Sequence, residues 1–146
     1  MKQIAEIIEG RPLILATQTE NVREVARRMS ERNIGAVAVL EDDRLVGVFS
    51  ERDVMSRVVA TGLNPDDTPV GMVMTREIVV GEPSEDLDQA LQEMHSIGSR
   101  HLPIVSDGKL IGMISLRDLL EVDDEDQRQR ASFLQELVTY SPDYES

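Results

Sequence analysis

The chain has 146 residues, 40% of them hydrophobic, with 28 acidic against 15 basic side chains and a net charge of −13 at pH 7. This supports one domain or a compact pair of subdomains with a packed core, while the acidic balance and only four aromatics, Phe49, Phe133, Tyr140 and Tyr144, argue against nucleic acid as a partner. With no cysteine there is no disulfide framework, thiolate nucleophile, zinc ribbon or iron–sulfur cluster. No apolar run approaches the roughly 20 residues of a membrane span, so a soluble, cytoplasmic protein with no membrane partner is expected.

In chain order, Ile4, Ile7 and Ile8 form a small helical stripe, and Leu13 to Leu15 is a candidate strand. Thr19 stands where a helix cap belongs, with Glu20 in the first turn and Val22, Val25, Ala26 and Met29 at helical spacing. Strands are expected over Ala36 to Leu40 and Arg44 to Phe49, and a second helix after Ser50. Residues 62–69 are rich in turn formers and read as a connector, with 70–75 leading into the second half. There the order recurs. Ile78 to Val80 is a candidate strand, Ser84 a cap, and Leu87, Ala90, Leu91 and Met94 an apolar helix face. Leu102 to Val105 and Lys109 to Ile114 are strands joined by the hairpin dipeptide Asp107-Gly108, and a helix follows Ser115. Residues 121–146 hold eight acids and two bases, open with the acidic run 123–126, and carry the stripe Phe133, Leu134, Leu137 and Val138, suited to docking on the body or on another subunit. The segments are therefore 1–61, 62–76, 77–122 and 123–146. Both halves read β-α-β-β-α.

Shifting the sequence by 65 residues lays Gly47-Val48-Phe49-Ser50-Glu51-Arg52-Asp53 on Gly112-Met113-Ile114-Ser115-Leu116-Arg117-Asp118. It also lays Met29 on Met94, Asp42 on Asp107, and Thr19-Glu20 on Ser84-Glu85. A half this small is marginal alone, so a duplicated subdomain with a shared core is expected. Ser-x-x-Asp at a strand-to-helix junction is, locally, a capping box. Its repetition after a glycine also offers donors for an oxyanion and a carboxylate for a sugar diol, which suits a nucleotide.

The two motif copies, the repeated element order and the segment Arg100-His101-Leu102-Pro103-Ile104-Val105 resemble a tandem pair of CBS domains over about Leu13 to Val122. The resemblance implies an α+β fold of two β-α-β-β-α motifs packed about a pseudo-two-fold axis, a Bateman module with two clefts. It also implies a regulatory module that binds an adenosyl ligand such as AMP, ADP, ATP or NAD(H), with S-adenosylmethionine or cyclic dinucleotides in some members. By the resemblance Asp118 and Asp53 take ribose, Arg100, His101, Ser115 and Arg117 take phosphate, and Ile78 and Val79 meet adenine, with Ser50 and Arg52 in the second cleft. A homodimer and an unknown effector protein are implied as partners.

The halves differ where Arg100-His101-Leu102-Pro103 faces Gly35-Ala36-Val37-Ala38, so the cleft with Arg100, His101 and Asp118 is expected to bind phosphate better. Met29 and Met94 fit core packing, His95 an exposed helix position, and Asp42, Asp43, Asp66 and Asp67 turns rather than a calcium loop. With two histidines and neither a dinucleotide-type nor a Walker-type glycine loop, catalysis is not expected, and no metal or bound cofactor is implied. The alternative to a sensor is a non-catalytic oligomeric adaptor without a working nucleotide site.

Overall fold

The computed structural model describes residues 2–121 and 134–138. The acidic run 123–126, Phe133, and Val122 at the expected motif boundary lie outside the described residues. Two compact units emerge: a contiguous unit, Leu13–Ile78, and a split unit, Met1–Pro12 with Val79–Ser146. This cut differs from the expected segments. The amino-terminal helix belongs with the second half, and the connector 62–76 with the first.

In the contiguous unit, β1 (Leu15–Thr17) runs parallel to β2 (Ala36–Glu41), which pairs antiparallel with β3 (Arg44–Ser50). The strand expected at Leu13 begins two residues later. Helix α2 (Val22–Arg32) buries Val22, Val25 and Met29 against Val37, Val39 and Phe49, the 3.6-residue face meeting the two-residue alternation of the sheet. Its cap is Asn21, which accepts the Glu24 N–H at 2.9 Å, and not Thr19. Thr19 sits inside a turn closed by the Glu20 N–H on the Thr17 carbonyl and by the Thr17 N–H on Glu20 Oε1. Helix α3 (Glu51–Asp53) runs on into a π-helical turn, Val54–Val59. After the connector, α4 (Val70–Val73) returns to bury Val70 and Val73 in the same core.

The split unit repeats the arrangement. Helix α5 (Leu87–Ile97) buries Leu87, Ala90, Leu91 and Met94 on β4 (His101–Ser106) and β5 (Lys109–Ser115), and α6 (Leu116–Leu120) follows. Its cap is Asp86, in a box with Gln89, again two residues beyond the expected serine. No strand forms over Ile78 to Val80; a single parallel bridge, Gly81 to Ile104, stands in its place. Gly81 donates to the Pro103 carbonyl and accepts from the Val105 N–H, both at 2.9 Å. One more step of that ladder needs an N–H at position 103, which proline lacks.

Helix α1 (Ile4–Ile8) occupies in the split unit the place that α4 takes in the contiguous one, with Ile4 fully buried and its N–H on the Glu85 carbonyl at 2.9 Å. Residues 134–138 are helical, and Leu134 and Leu137 enter the same core while Val138 is exposed. The stripe expected to dock therefore docks on its own chain. Both hairpins turn on two residues with positive φ, Asp42-Asp43 and Asp107-Gly108, as the right-handed strand twist demands. Both carry a bulge at equivalent places, after Val39 and after Ile104. Met29 and Met94 are core residues, and His95 is partly exposed with Nε2 3.7 Å from a Glu136 carboxylate oxygen.

Candidate functional site

Each hairpin delivers its last strand residue, a serine, to the start of a short helix. In the contiguous unit Ser50 Oγ accepts the Asp53 N–H at 3.3 Å, and Asp53 Oδ2 accepts from the Ser50 N–H at 2.9 Å and from its hydroxyl at 3.2 Å. In the split unit Ser115 Oγ accepts the Asp118 N–H at 3.2 Å, and Asp118 Oδ2 accepts the Ser115 N–H at 2.7 Å. Both motifs are thus complete capping boxes. What differs is the second carboxylate oxygen.

Asp53 Oδ1 accepts the Thr75 hydroxyl at 3.1 Å and lies 3.6 Å from Arg57 Nε, and the residue is 3% exposed. Asp118 Oδ1 instead meets Arg11 Nη1 at 3.0 Å, with side chains 19% and 41% exposed respectively. The Ile4 N–H on the Glu85 carbonyl matches the Val70 N–H on the Glu20 carbonyl, and Ile8 against Gly112 matches Met74 against Gly47, so these two segments correspond at an offset of 66 and Glu9 stands where Thr75 does. The split unit therefore has no hydroxyl at that position, and a guanidinium takes the oxygen. Arg57, four residues after Asp53, is a local helix pair, while Arg11 and Thr75 went unnoticed in the sequence because α1 and α4 each pack on the half they do not precede. The spacing of Asp53 and Arg57 contained the only signal.

The motif glycines serve the same crossing segments. A Cβ on Gly47 would sit 2.7 Å from Met74 Sδ and 2.8 Å from the Thr75 carbonyl, and one on Gly112 would sit 3.0 Å from two carbons of Ile8. Here the close approach that glycine permits is to protein. Val48 and Thr75 exchange both backbone hydrogen bonds across that contact, at 3.0 and 2.9 Å.

His101 opens β4 directly opposite Ser115 in the register, and its backbone is pinned by Ser99 Oγ, which accepts the His101 N–H and donates to the His101 carbonyl. The Arg100 carbonyl accepts the Leu116 N–H at 2.8 Å, fixing the α6 start beside the β4 start. Arg100, His101, Ser115 and Asp118 are thereby gathered at one end of one hairpin, with Arg117 exposed on the first turn of α6. The corresponding partner of Ser50 is Ala36, so this end of the contiguous unit has no imidazole and keeps Ser50, Asp53 and the half-buried Arg52. Ile78 and Val79 are half-buried and fall in different units, Val79 packing against the core of the split one. Among the described residues, no group of three or more His, Cys, Asp or Glu side chains is arranged to hold a metal ion, and no helix is long and apolar enough to cross a membrane.

The CBS domain family model matches residues 4–60 and 70–125. An uncharacterized protein of Methanopyrus kandleri is 36% identical over 118 residues, 80% of this chain, and the chain spans 60% of that relative's length. The CBS domain-containing protein YhcV of Bacillus subtilis is 38% identical over 100 residues, 68% of this chain and 71% of its own. Among solved structures, a CBS domain protein of Pyrobaculum aerophilum complexed with AMP superposes with a TM-score of 0.75 at 27% identity, covering 94% of this chain and 99% of that one. With two motif copies matched end to end, the chain belongs to the CBS domain family and carries its domains as a tandem pair.

Proposed function

We propose that this tandem pair is a regulatory module that binds an adenosyl ligand, with AMP, ADP, ATP or NAD(H) as the candidates, and passes its ligand state to a partner protein through a conformational change without catalysis of its own. The observation that carries this reading is the gathering of Arg100, His101, Ser115 and Asp118 at one hairpin end, supported by the AMP complex of the Pyrobaculum relative. Asp118 supplies an acceptor for ribose hydroxyls, Arg100, His101, Ser115 and the exposed Arg117 supply donors for phosphate, and Ile78 and Val79 offer apolar contact to adenine. Asp53, Ser50 and Arg52 form the weaker counterpart, because Asp53 is 3% exposed where the Asp118 side chain is 19% exposed, and Ala36 stands opposite Ser50 where His101 stands opposite Ser115. A switch of this kind needs a ligand that binds two arrangements differently, and a homodimer is the assembly in which we place it.

A thermal-shift panel with AMP, ADP, ATP, NAD and NADH on nucleotide-free protein tests the proposal. Ligand at about 100 times its dissociation constant stabilises by about 2.7 kcal/mol, a shift of several degrees. The shift should vanish in Asp118→Ala and persist, reduced, in Asp53→Ala. The completeness of both capping boxes favours a second reading, an oligomeric adaptor whose Ser-x-x-Asp motifs only cap helices. No shift with any of the nucleotides would establish that reading instead.

A further inference from the structure

The 65-residue repeat lays Glu20 on Glu85 and Arg28 on Glu93. In the contiguous unit Glu20 Oε1 accepts the Thr17 N–H at 2.9 Å, and the Arg28 guanidinium clamps both carboxylate oxygens of Glu20 while donating to the Leu15 carbonyl at 2.7 Å. One cation thus ties the first residue of β1 to the turn before α2. The hydrogen bond and charge of Arg28, with the Thr17 hydrogen bonds, hold Glu20 below its ordinary value against the opposing effect of burial.

In the split unit half of this device is kept. Glu85 Oε1 accepts the Glu82 N–H at 2.8 Å, matching Glu20 and Thr17. Where the guanidinium stands in the other unit, a second carboxyl group stands here. Glu93 is half-buried in the middle of α5, and its Oε1 is buried without a hydrogen-bond partner. The charged groups that raise it are Glu85 and Glu82, and Glu85 and Glu93 occupy the repeat positions at which Glu20 and Arg28 meet in the other unit. On α5 and its cap the other charged groups are Asp86, Asp88 and His95, the last near Glu136. Two carboxylates at one partly desolvated place cannot both ionise cheaply, and a proton held between them satisfies both.

We propose that Glu85 and Glu93 form a shared-proton carboxyl pair, in which one proton does in the split unit what the Arg28 guanidinium does in the contiguous one, and that its loss makes the split unit the alkali-sensitive half of the chain. Burial, the hydrogen bond to Glu85 and the charges of Glu85 and Glu82 push Glu93 up to about 8, from an ordinary value of 4.5. The folded chain therefore binds a proton that the unfolded chain has lost between those values. The stabilisation is complete below 4.5, where both states are protonated, and is lost as pH rises through about 8. In the contiguous unit the permanent charge of Arg28 makes the matching contact insensitive to this range.

The test is a titration of the glutamate side-chain carboxyl carbons by NMR on the full chain. The Glu93 resonance, assigned through the backbone and absent from Glu93→Gln, should titrate with a midpoint near 8, and in Glu85→Gln that midpoint should drop by about one unit or more. A Glu93 midpoint in the ordinary carboxylate range, or one unmoved in Glu85→Gln, overturns the shared proton. In parallel, thermal unfolding of wild type and of Glu93→Gln is followed from about pH 6 to about pH 9. The wild type should lose several degrees relative to the variant over that range, and parallel curves overturn the alkaline sensitivity. Glu93→Arg, which copies the contiguous unit, should show the same flattened dependence as Glu93→Gln.

Discussion

Truncation of the two motif aspartates separates a carboxylate that builds the fold from one that the fold leaves accessible. Asp53→Ala leaves Ser50 as the helix cap but removes the carboxylate that accepts from the Ser50 N–H and hydroxyl. It thereby strands three donors, the Ser50 N–H, the Ser50 hydroxyl and the Thr75 hydroxyl, at a place where Asp53 is 3% exposed, each costing about 1 kcal/mol. The expected loss is about 3 kcal/mol. Asp118→Ala likewise leaves Ser115 as the cap but strands the Ser115 N–H, about 1 kcal/mol, and removes an ion pair to Arg11 whose members are 19% and 41% exposed, worth about 0.5 kcal/mol in that solvated setting. The expected loss is about 1.5 kcal/mol. Urea unfolding followed by far-UV circular dichroism reads the difference, since about 1.5 kcal/mol displaces a midpoint by about 0.7 M at a slope of about 2 kcal/mol/M. Arg11→Ala should cost no more than about 0.5 kcal/mol and add nothing on top of Asp118→Ala. An Asp118→Ala loss equal to or larger than that of Asp53→Ala would refute the argument from burial and from the second oxygen's partner.

Gly47→Ala drives a methyl group to 2.8 Å from the Thr75 carbonyl and 2.7 Å from Met74 Sδ and should destabilise by about 2 kcal/mol by thermal melting, with Gly112→Ala costing less because its nearest contacts, on Ile8, are at 3.0 Å and involve no backbone atom. Asp43 holds φ +66° where the second hairpin has Gly108, so Asp43→Gly should raise the melting temperature, by about 0.5 kcal/mol of relieved left-handed strain. Arg28→Met removes the clamp that lowers Glu20, a contribution of about 1.5 kcal/mol. Because a lowered carboxylate stabilises above its ordinary value of 4.5 and loses that effect as pH falls through its folded value, wild type should exceed Arg28→Met at neutral pH and converge with it in acid, as read by pH-dependent unfolding.

The sequence revealed most clearly what is local and periodic. The apolar faces of α2 and α5 stand out because their cores are one-sided, the hairpins because positive φ selects Asp and Gly, and the Ser50 and Ser115 boxes because capping needs only four consecutive residues. The helix caps were misplaced by two residues because Thr19 and Ser84 look like caps, while Glu20 and Glu85 turn back to the ends of the preceding segments and postpone the helices to Asn21 and Asp86. A strand over Ile78 to Val80 was expected from β-branching, and the missing N–H of Pro103 prevented it. At the candidate site, Arg100, His101, Ser115 and Asp118 converge through the register of a single hairpin, which the spacing already encoded. Arg11 and Thr75 reach the motif aspartates through tertiary packing, to which periodicity is blind, whereas Arg57 meets Asp53 locally, four residues on.

The exchange of α1 and α4 between the halves also sets an order of events during synthesis. The core residues of the contiguous unit, those of α4 included, all lie between Leu13 and Ile78, so this core can close as soon as that stretch has left the ribosome. Helix α1 is made before the contiguous unit and completed after it. Its Ile4 must wait for Leu87, Leu102 and Ile114, and the loop closed by that contact already contains a folded body rather than a free chain, which shortens the disordered path and lowers its entropic cost. Until then three isoleucines within five residues are exposed on the nascent chain, and any early association of the protein with itself or with a chaperone has its most exposed apolar handle there.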